Sequence, residues 1–222
     1  MPEKEELELE YRPYTYLQQQ VIRTVHHFYI SSIIEEAVKY TDMIFRIQTA
    51  GPDDIIYLHL NTGGGYLDTG IQIINAMQSS QAHVVAALEG EVASMGTLIF
   101  LAADEFIVHD NSSMMIHNYS GGVYGKGHEQ IAALESATTW SEDFMHRIYL
   151  PFLSEDELGR VIRGEDLYMH PDEIRDRLKN MVEIMKQESE AAEKAAIAEL
   201  NAPPPAPKKK RTAKKKAAKK KV

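Results

Sequence analysis

No cysteine occurs in the 222 residues, which excludes a disulfide frame, a thiolate metal site and a cysteine nucleophile. That fits a reducing compartment, and the cytosol is the expected location. Long apolar runs are also missing. The longest candidate, Leu98 to Ala103, stops at Asp104, well short of the roughly 18 residues that a membrane-spanning helix needs, so no membrane partner is expected. A secretory leader would require a basic patch followed by an apolar stretch, whereas the opening residues carry Glu3, Glu5, Glu6, Glu8 and Glu10; export is not expected. The glycine-rich segment Gly121 to Gly127 lacks the Gly-Lys-Ser/Thr ending of a phosphate loop, so any use of ATP is expected to belong to a partner.

Basic residues are scarce over most of the chain. Ten of the 24 lie between Lys208 and Lys221, and none of the 33 acids lies beyond residue 200, so removing those ten leaves 14 bases against 33 acids, a body of about −19 beneath an overall −9. Such a body repels phosphates, and nucleic acid is expected only through the lysine tail, whose simplest reading is a solvated, disordered extension.

What is present suits one domain with tails, since 44% hydrophobic residues is ordinary for a globular protein. Residues 1–20 are acidic, contain tyrosines and show no period, and read as an arm. A folded domain is expected over residues 21–183, a charged helical extension over residues 184–200, and a proline linker with a lysine-rich tail over residues 201–222. Within the domain, short β-rich runs alternate with amphipathic stretches, the pattern of an α/β fold. Residues 55–61 place Ile56, Leu58 and Leu60 on one face of a strand, and Gly63, Gly64 and Gly65 follow as a loop. Leu67, Ile71, Ile74 and Met77 mark a helix over residues 66–79. A second unit repeats this plan: a strand over 83–88, a turn over 89–93, and an apolar helix from about Ser94 to Ala103. Two short strands are expected over 105–109 and 114–117. A long helix then runs from His128 to about Leu153, with Ile131, Leu134, Phe144 and Ile148 facing a neighbouring subunit, and a further helix covers 171–200.

Ser94 lies after a strand and at the first turn of an apolar helix, where unpaired backbone N–H groups converge and favour a developing oxyanion. Small neighbours, Ala93 and Gly96, would let a substrate backbone approach. An isolated serine in such a place is more often an N-cap. A nucleophilic serine needs a base, and of nine histidines His117 stands at the end of the apolar run Met114-Met115-Ile116, before a polar glycine-rich loop. On spacing alone such a histidine is more often a hydrogen-bonded structural residue than a catalyst. A third, carboxylate member is required, and Asp166 is one of many acids; pattern by itself does not select it.

At these residues the chain resembles the proteolytic subunit of the Clp protease, from about Val25 to Val182. Tyr57 to Gly65 resembles that family's strand and glycine loop, Glu91 to Gly96 its nucleophile motif, and Asn111 to His117 the motif carrying its base. Gly121 to Gly125 resembles the glycine-rich strand that binds substrate, and Gly164 to His170 occupies the place of the family's aspartate. The resemblance implies an α/β fold of the ββα-spiral (Clp and crotonase-like) type with a projecting handle helix. It implies a serine endopeptidase without cofactor or metal, with Ser94 as nucleophile, His117 as base and Asp166 orienting it. Backbone N–H groups of Gly64 and Met95 would bind the oxyanion, and Gly65, Gly121 and Gly122 would bind substrate. The implied partners are polypeptide substrates, other copies of the chain in stacked heptameric rings, and an AAA+ unfoldase. Gly63 stands where the family has proline, Asn118-Tyr119 where glutamine-proline is usual, and Leu178-Lys179-Asn180 replaces a glycine-containing ending. Two other readings are carried alongside: a crotonase-like acyl-CoA enzyme, and a catalytically idle scaffold subunit of a mixed ring.

Overall fold

The computed structural model describes residues 23–200, so the expected arm, linker and tail lie outside the described residues. The chain divides into two compact units, Met1–Met181 and Val182–Val222. The first is a mixed α/β unit built on one six-stranded sheet.

Strands β1 (Val25–Ile30), β2 (Ile55–Thr62) and β3 (His83–Ala93) pair in parallel, with helices α1 (Thr41–Thr49) and α2 (Leu67–Ser79) in the crossovers. The alternation in β2 is realised: Ile56, Leu58 and Leu60 are buried and stand in register with Val84, Ala86 and Leu88 of β3, which are buried as well. Burial of a side chain of this kind contributes roughly 1.5–3 kcal/mol, so these paired rows form the centre of the core. The opposite face of β1 and β2 carries stacked rings, with Tyr29 on His59 at 4.2 Å and His27 on Tyr57 at 5.0 Å between centroids.

The segment 89–93, expected as a turn, is a continuation of β3. Val85 to Leu88 of β3 pair with β4 (Glu105–Val108) and Glu91 to Ala93 with β5 (Ser113–Ile116), both on the side away from β2. The change of partner coincides with a register irregularity between Leu60 and Thr62 of β2. The Glu91 N–H donates to Asn61 Oδ1 at 3.2 Å across it, so a polar Glu-Gly-Glu sequence stays extended because side-chain hydrogen bonding replaces the broken ladder.

Helix α3 (Met95–Leu101) is shorter than expected and buried along its whole length. Residues 121–125 form no strand; Val123 and Tyr124 are exposed and have no strand neighbour to pair with. Helix α4 (Gly127–Tyr149) ends before Pro151, which disfavours helical geometry in the residue preceding it. Its C-terminal part packs inward through Ser141, Phe144, Met145 and Tyr149, whereas Ile131 and Leu134 remain 60% and 54% exposed. Of the residues expected on a face for a neighbour, Phe144 therefore belongs to the core of this chain and Ile148, partly buried, packs against it.

Helix α5 (Glu155–Ile162), strand β6 (Leu167–Met169) and helix α6 (Pro171–Leu200) complete the fold. β6 runs antiparallel to β5. In the second unit the described part of α6 is almost entirely exposed, with local pairs such as Lys194–Glu190. Among the described residues no helix is long and apolar enough to cross a membrane.

Candidate active site

Ser94 joins β3 to α3 with φ 53° and ψ −127°, the one non-glycine residue of positive φ among those described. Such a conformation costs on the order of 1–3 kcal/mol and persists only where its surroundings over-determine it. Here they do. The Ser94 N–H donates to the Met115 carbonyl at 2.9 Å, extending the β3–β5 ladder by one residue. Its carbonyl accepts from the Thr97 N–H at 2.9 Å and from the Thr97 hydroxyl at 2.7 Å. A sharp strand-to-helix turn of this kind lifts a serine hydroxyl out of the backbone, and Ser94 is half-buried at the wall of a cavity.

The glycine loop after β2 lies against this turn. A Cβ on Gly64 would come within 2.6 Å of the Ser94 Cβ, so only glycine allows the approach. The loop is fixed from the other side by Ile34, whose N–H donates to the Gly64 carbonyl at 2.7 Å and whose carbonyl accepts from Tyr66 at 2.9 Å. The Gly64 N–H, expected at the oxyanion, donates instead to Thr62 Oγ1 at 3.2 Å. Among the described residues the hydrogen bonds of this loop leave the next amide, that of Gly65, unengaged. Gly96, expected to admit substrate, is needed inside the protein: its Cβ would meet Thr62 Cγ2 at 2.7 Å.

His117 follows β5 and is half-buried on the same cavity as Ser94. The loop beyond it is pinned to two helices. Asn118 Nδ2 donates to the Ile162 carbonyl at 2.9 Å, and the Tyr119 hydroxyl meets Thr138 Oγ1 at 3.3 Å. Asp166 precedes β6. The antiparallel register pairs Met115 with Tyr168 and Ile116 with Leu167, so its next step aligns His117 with Asp166. Asp166 is exposed and does not line the cavity. The structure thus brings Ser94 and His117 to one cavity and Asp166 to the neighbouring strand position; no hydrogen bond joins the three side chains in this conformation.

The cavity holds about 660 Å³ and also includes Gly65, Met95, Gly121 and Gly122 among its lining. Its deeper wall is apolar, formed by Leu98, Phe144 and Met145 together with the ring of Tyr149. Tyr149 is 1% exposed, and its hydroxyl lies 2.7 Å from Thr97 Oγ1. Burial pushes this phenol well above its ordinary pKa, against the smaller opposing effect of the Thr97 hydrogen bond, so it stays protonated in the range where enzymes are assayed. Sequence reasoning did not find Thr97 or Tyr149, because nothing local connects positions 52 apart in the chain. Among the described residues no group of three or more His, Asp or Glu side chains is placed to hold a metal ion.

Comparison with known proteins agrees with the motifs. Over 100 residues the chain is 31% identical to the ATP-dependent Clp protease proteolytic subunit 2 of Pseudomonas aeruginosa, an alignment that takes in 44% of this chain. It spans about half the length of that curated relative. The Clp protease family model matches residues 11–149, which include the glycine loop, Ser94 and His117. With that match over most of its length and a sheet that fits the fold, the chain belongs to the Clp protease family.

Proposed function

We propose that the chain is a serine endopeptidase acting on unfolded polypeptides inside an oligomeric chamber. The observation that carries this reading is the strained Ser94 turn facing His117 across one cavity. Ser94 Oγ attacks the scissile carbonyl carbon as its proton passes to the His117 ring. Collapse of the tetrahedral species breaks the C–N bond, and the departing amine takes that proton. Water then attacks the acyl ester with His117 again as base, and the proton returns to Ser94 as the carboxylic acid leaves. Asp166, aligned with His117 one step beyond the last β5–β6 pair, orients the imidazole once the site tightens on substrate; catalytic hydrogen bonds are often long in unliganded enzymes.

For the oxyanion, the Met95 N–H at the start of α3 is retained, and the Gly65 N–H takes the place first given to Gly64. Two reasons support the exchange. The Gly64 amide already has Thr62 Oγ1 as acceptor, and an oxyanion donor must be free to meet the charge as it forms. Gly121 and Gly122, on the cavity rim without a strand partner of their own, would receive an extended substrate as an added strand.

Family membership further supports a cytoplasmic homo-oligomer of stacked heptameric rings served by an AAA+ unfoldase. Cleavage of peptide and casein by wild type and Ser94→Ala, with fluorophosphonate labelling and the mass of the assembly measured in the same samples, tests the whole reading. Hydrolysis is expected to fall by about 10⁴-fold or more in the variant, with labelling lost. Unchanged hydrolysis in Ser94→Ala would overturn it. Absence of label together with acyl-CoA turnover would favour the crotonase-like alternative.

A further inference from the structure

Ser94 is held in a costly conformation, and its carbonyl receives two hydrogen bonds, from the Thr97 N–H and the Thr97 hydroxyl. A threonine hydroxyl has one proton. Because the Ser94 carbonyl can only accept, that proton points to Ser94, and the 2.7 Å contact between Thr97 Oγ1 and the Tyr149 hydroxyl must be donated by tyrosine. The order that satisfies both contacts runs from the Tyr149 O–H to Thr97 Oγ1 and from the Thr97 O–H to the Ser94 carbonyl. Both intermediaries are buried, with Thr97 0% and Tyr149 1% exposed.

From this we infer that Thr97 and Tyr149 are positioning residues for the nucleophile, a relay of two hydroxyls that fixes the carbonyl of Ser94 and so the aim of its side chain. The inference rests on Ser94 being the nucleophile. The tyrosine is the last residue of α4, so the relay also ties the end of that helix to the turn. Donation to Thr97 Oγ1 polarises its O–H and strengthens the second bond of the chain. Neither residue touches the reacting atoms; each acts through the backbone of Ser94.

The test is the rate of Ser94 acylation by a fluorophosphonate, and kcat and KM for a peptide, in Tyr149→Phe, Thr97→Val and Thr97→Ser, each with its melting temperature. Loss of one buried hydrogen bond is worth about a three- to tenfold change in an equilibrium or rate. Tyr149→Phe is expected to slow acylation and lower kcat by about that factor with KM little changed, and Thr97→Val by at least as much. Thr97→Ser, which keeps the hydroxyl, is expected to restore the wild-type rate. A merely structural role would lower the melting temperature of Thr97→Val and Tyr149→Phe while the acylation rate of the folded protein stayed at the wild-type value; that result overturns the relay. Should one variant fail to fold, the other and Thr97→Ser decide the matter by the same comparison. If wild type itself is not labelled at Ser94, both the relay and the peptidase reading fall; if wild type is labelled and the variants match it, only the relay does.

Discussion

A Cβ on Gly65 would lie 2.7 Å from the Ile34 amide nitrogen and closer still to the Ile34 carbonyl oxygen, at a φ of +149°. Gly63, two positions earlier in the same loop, has nothing within 4 Å of where its Cβ would stand. Gly65→Val is therefore expected to push the loop off Ile34 and move its amide away from Ser94, with a loss of about 10²–10³ in kcat if that amide serves the oxyanion. Gly63→Ala is expected to hydrolyse peptide at close to the wild-type rate, and assays of the pair side by side check both. A Gly65→Val protein with more than half of wild-type activity would contradict the assignment. Ser94 was a candidate in the sequence because a strand, a small-residue turn and an apolar helix surround it, and the likeness of Glu91 to Gly96 to the family's nucleophile motif selected it over an N-cap reading. Its positive φ could not, since that depends on Met115 and Thr97 holding the turn open from both sides. The engagement of the Gly64 N–H was likewise hidden, because it depends on the Thr62 hydroxyl oxygen folding back onto the loop.

Helix α5 begins with a reciprocal cap. Glu157 accepts from the Ser154 N–H at 2.9 Å, its own N–H donates to Ser154 Oγ at 3.3 Å, and Arg177 of α6 reaches its two carboxylate oxygens at 2.7 and 3.0 Å. Arg177 foremost, and after it the Ser154 hydrogen bonds, hold the Glu157 carboxyl at about 2, below its ordinary 4.5, against a burial effect in the other direction. The depressed value means that this contribution to stability is complete above about pH 4.5 and is lost as pH falls towards 2. Glu157→Gln is expected to cost about 1 kcal/mol at pH 7, a figure reduced for solvent screening of a pair that still touches water. Its deficit against wild type in urea melts should close between pH 4.5 and 2; a deficit independent of pH would refute the account. Elements with a long period were legible in the sequence, as β2, α2 and α4 are. The three residues of β6 are too few to display alternation. The second half of β3 was misread because Glu89-Gly90-Glu91 has the composition of a turn, and only the Asn61 side chain across the sheet keeps it extended. The Ser154-x-x-Glu157 spacing was the signal that could have revealed α5.

Ile131, Leu134 and Trp140 are exposed on α4 at 60%, 54% and 41%, more apolar surface on one helix than water-facing positions usually carry. If the chain assembles into rings, these side chains of α4 gain from contact with a neighbour. Ile131→Asp combined with Leu134→Asp is expected to at least halve the assembly mass seen by light scattering while leaving the melting temperature of the subunit within a few degrees of wild type. An assembly of undiminished mass would place the contact elsewhere. The six-stranded sheet carries a further consequence, one of timing. Ile116 of β5 meets Leu167 of β6 across about fifty residues, the widest chain separation of any strand pair in the sheet, and the entropy of closing a loop grows with its length. If loop closure sets the order of events, Ser94 and His117 at the ends of β3 and β5 come together before Asp166 arrives with β6. On the proposed reading, hydrolytic competence would then wait for the pairing of β5 with β6, the step that also brings Met169 into the core.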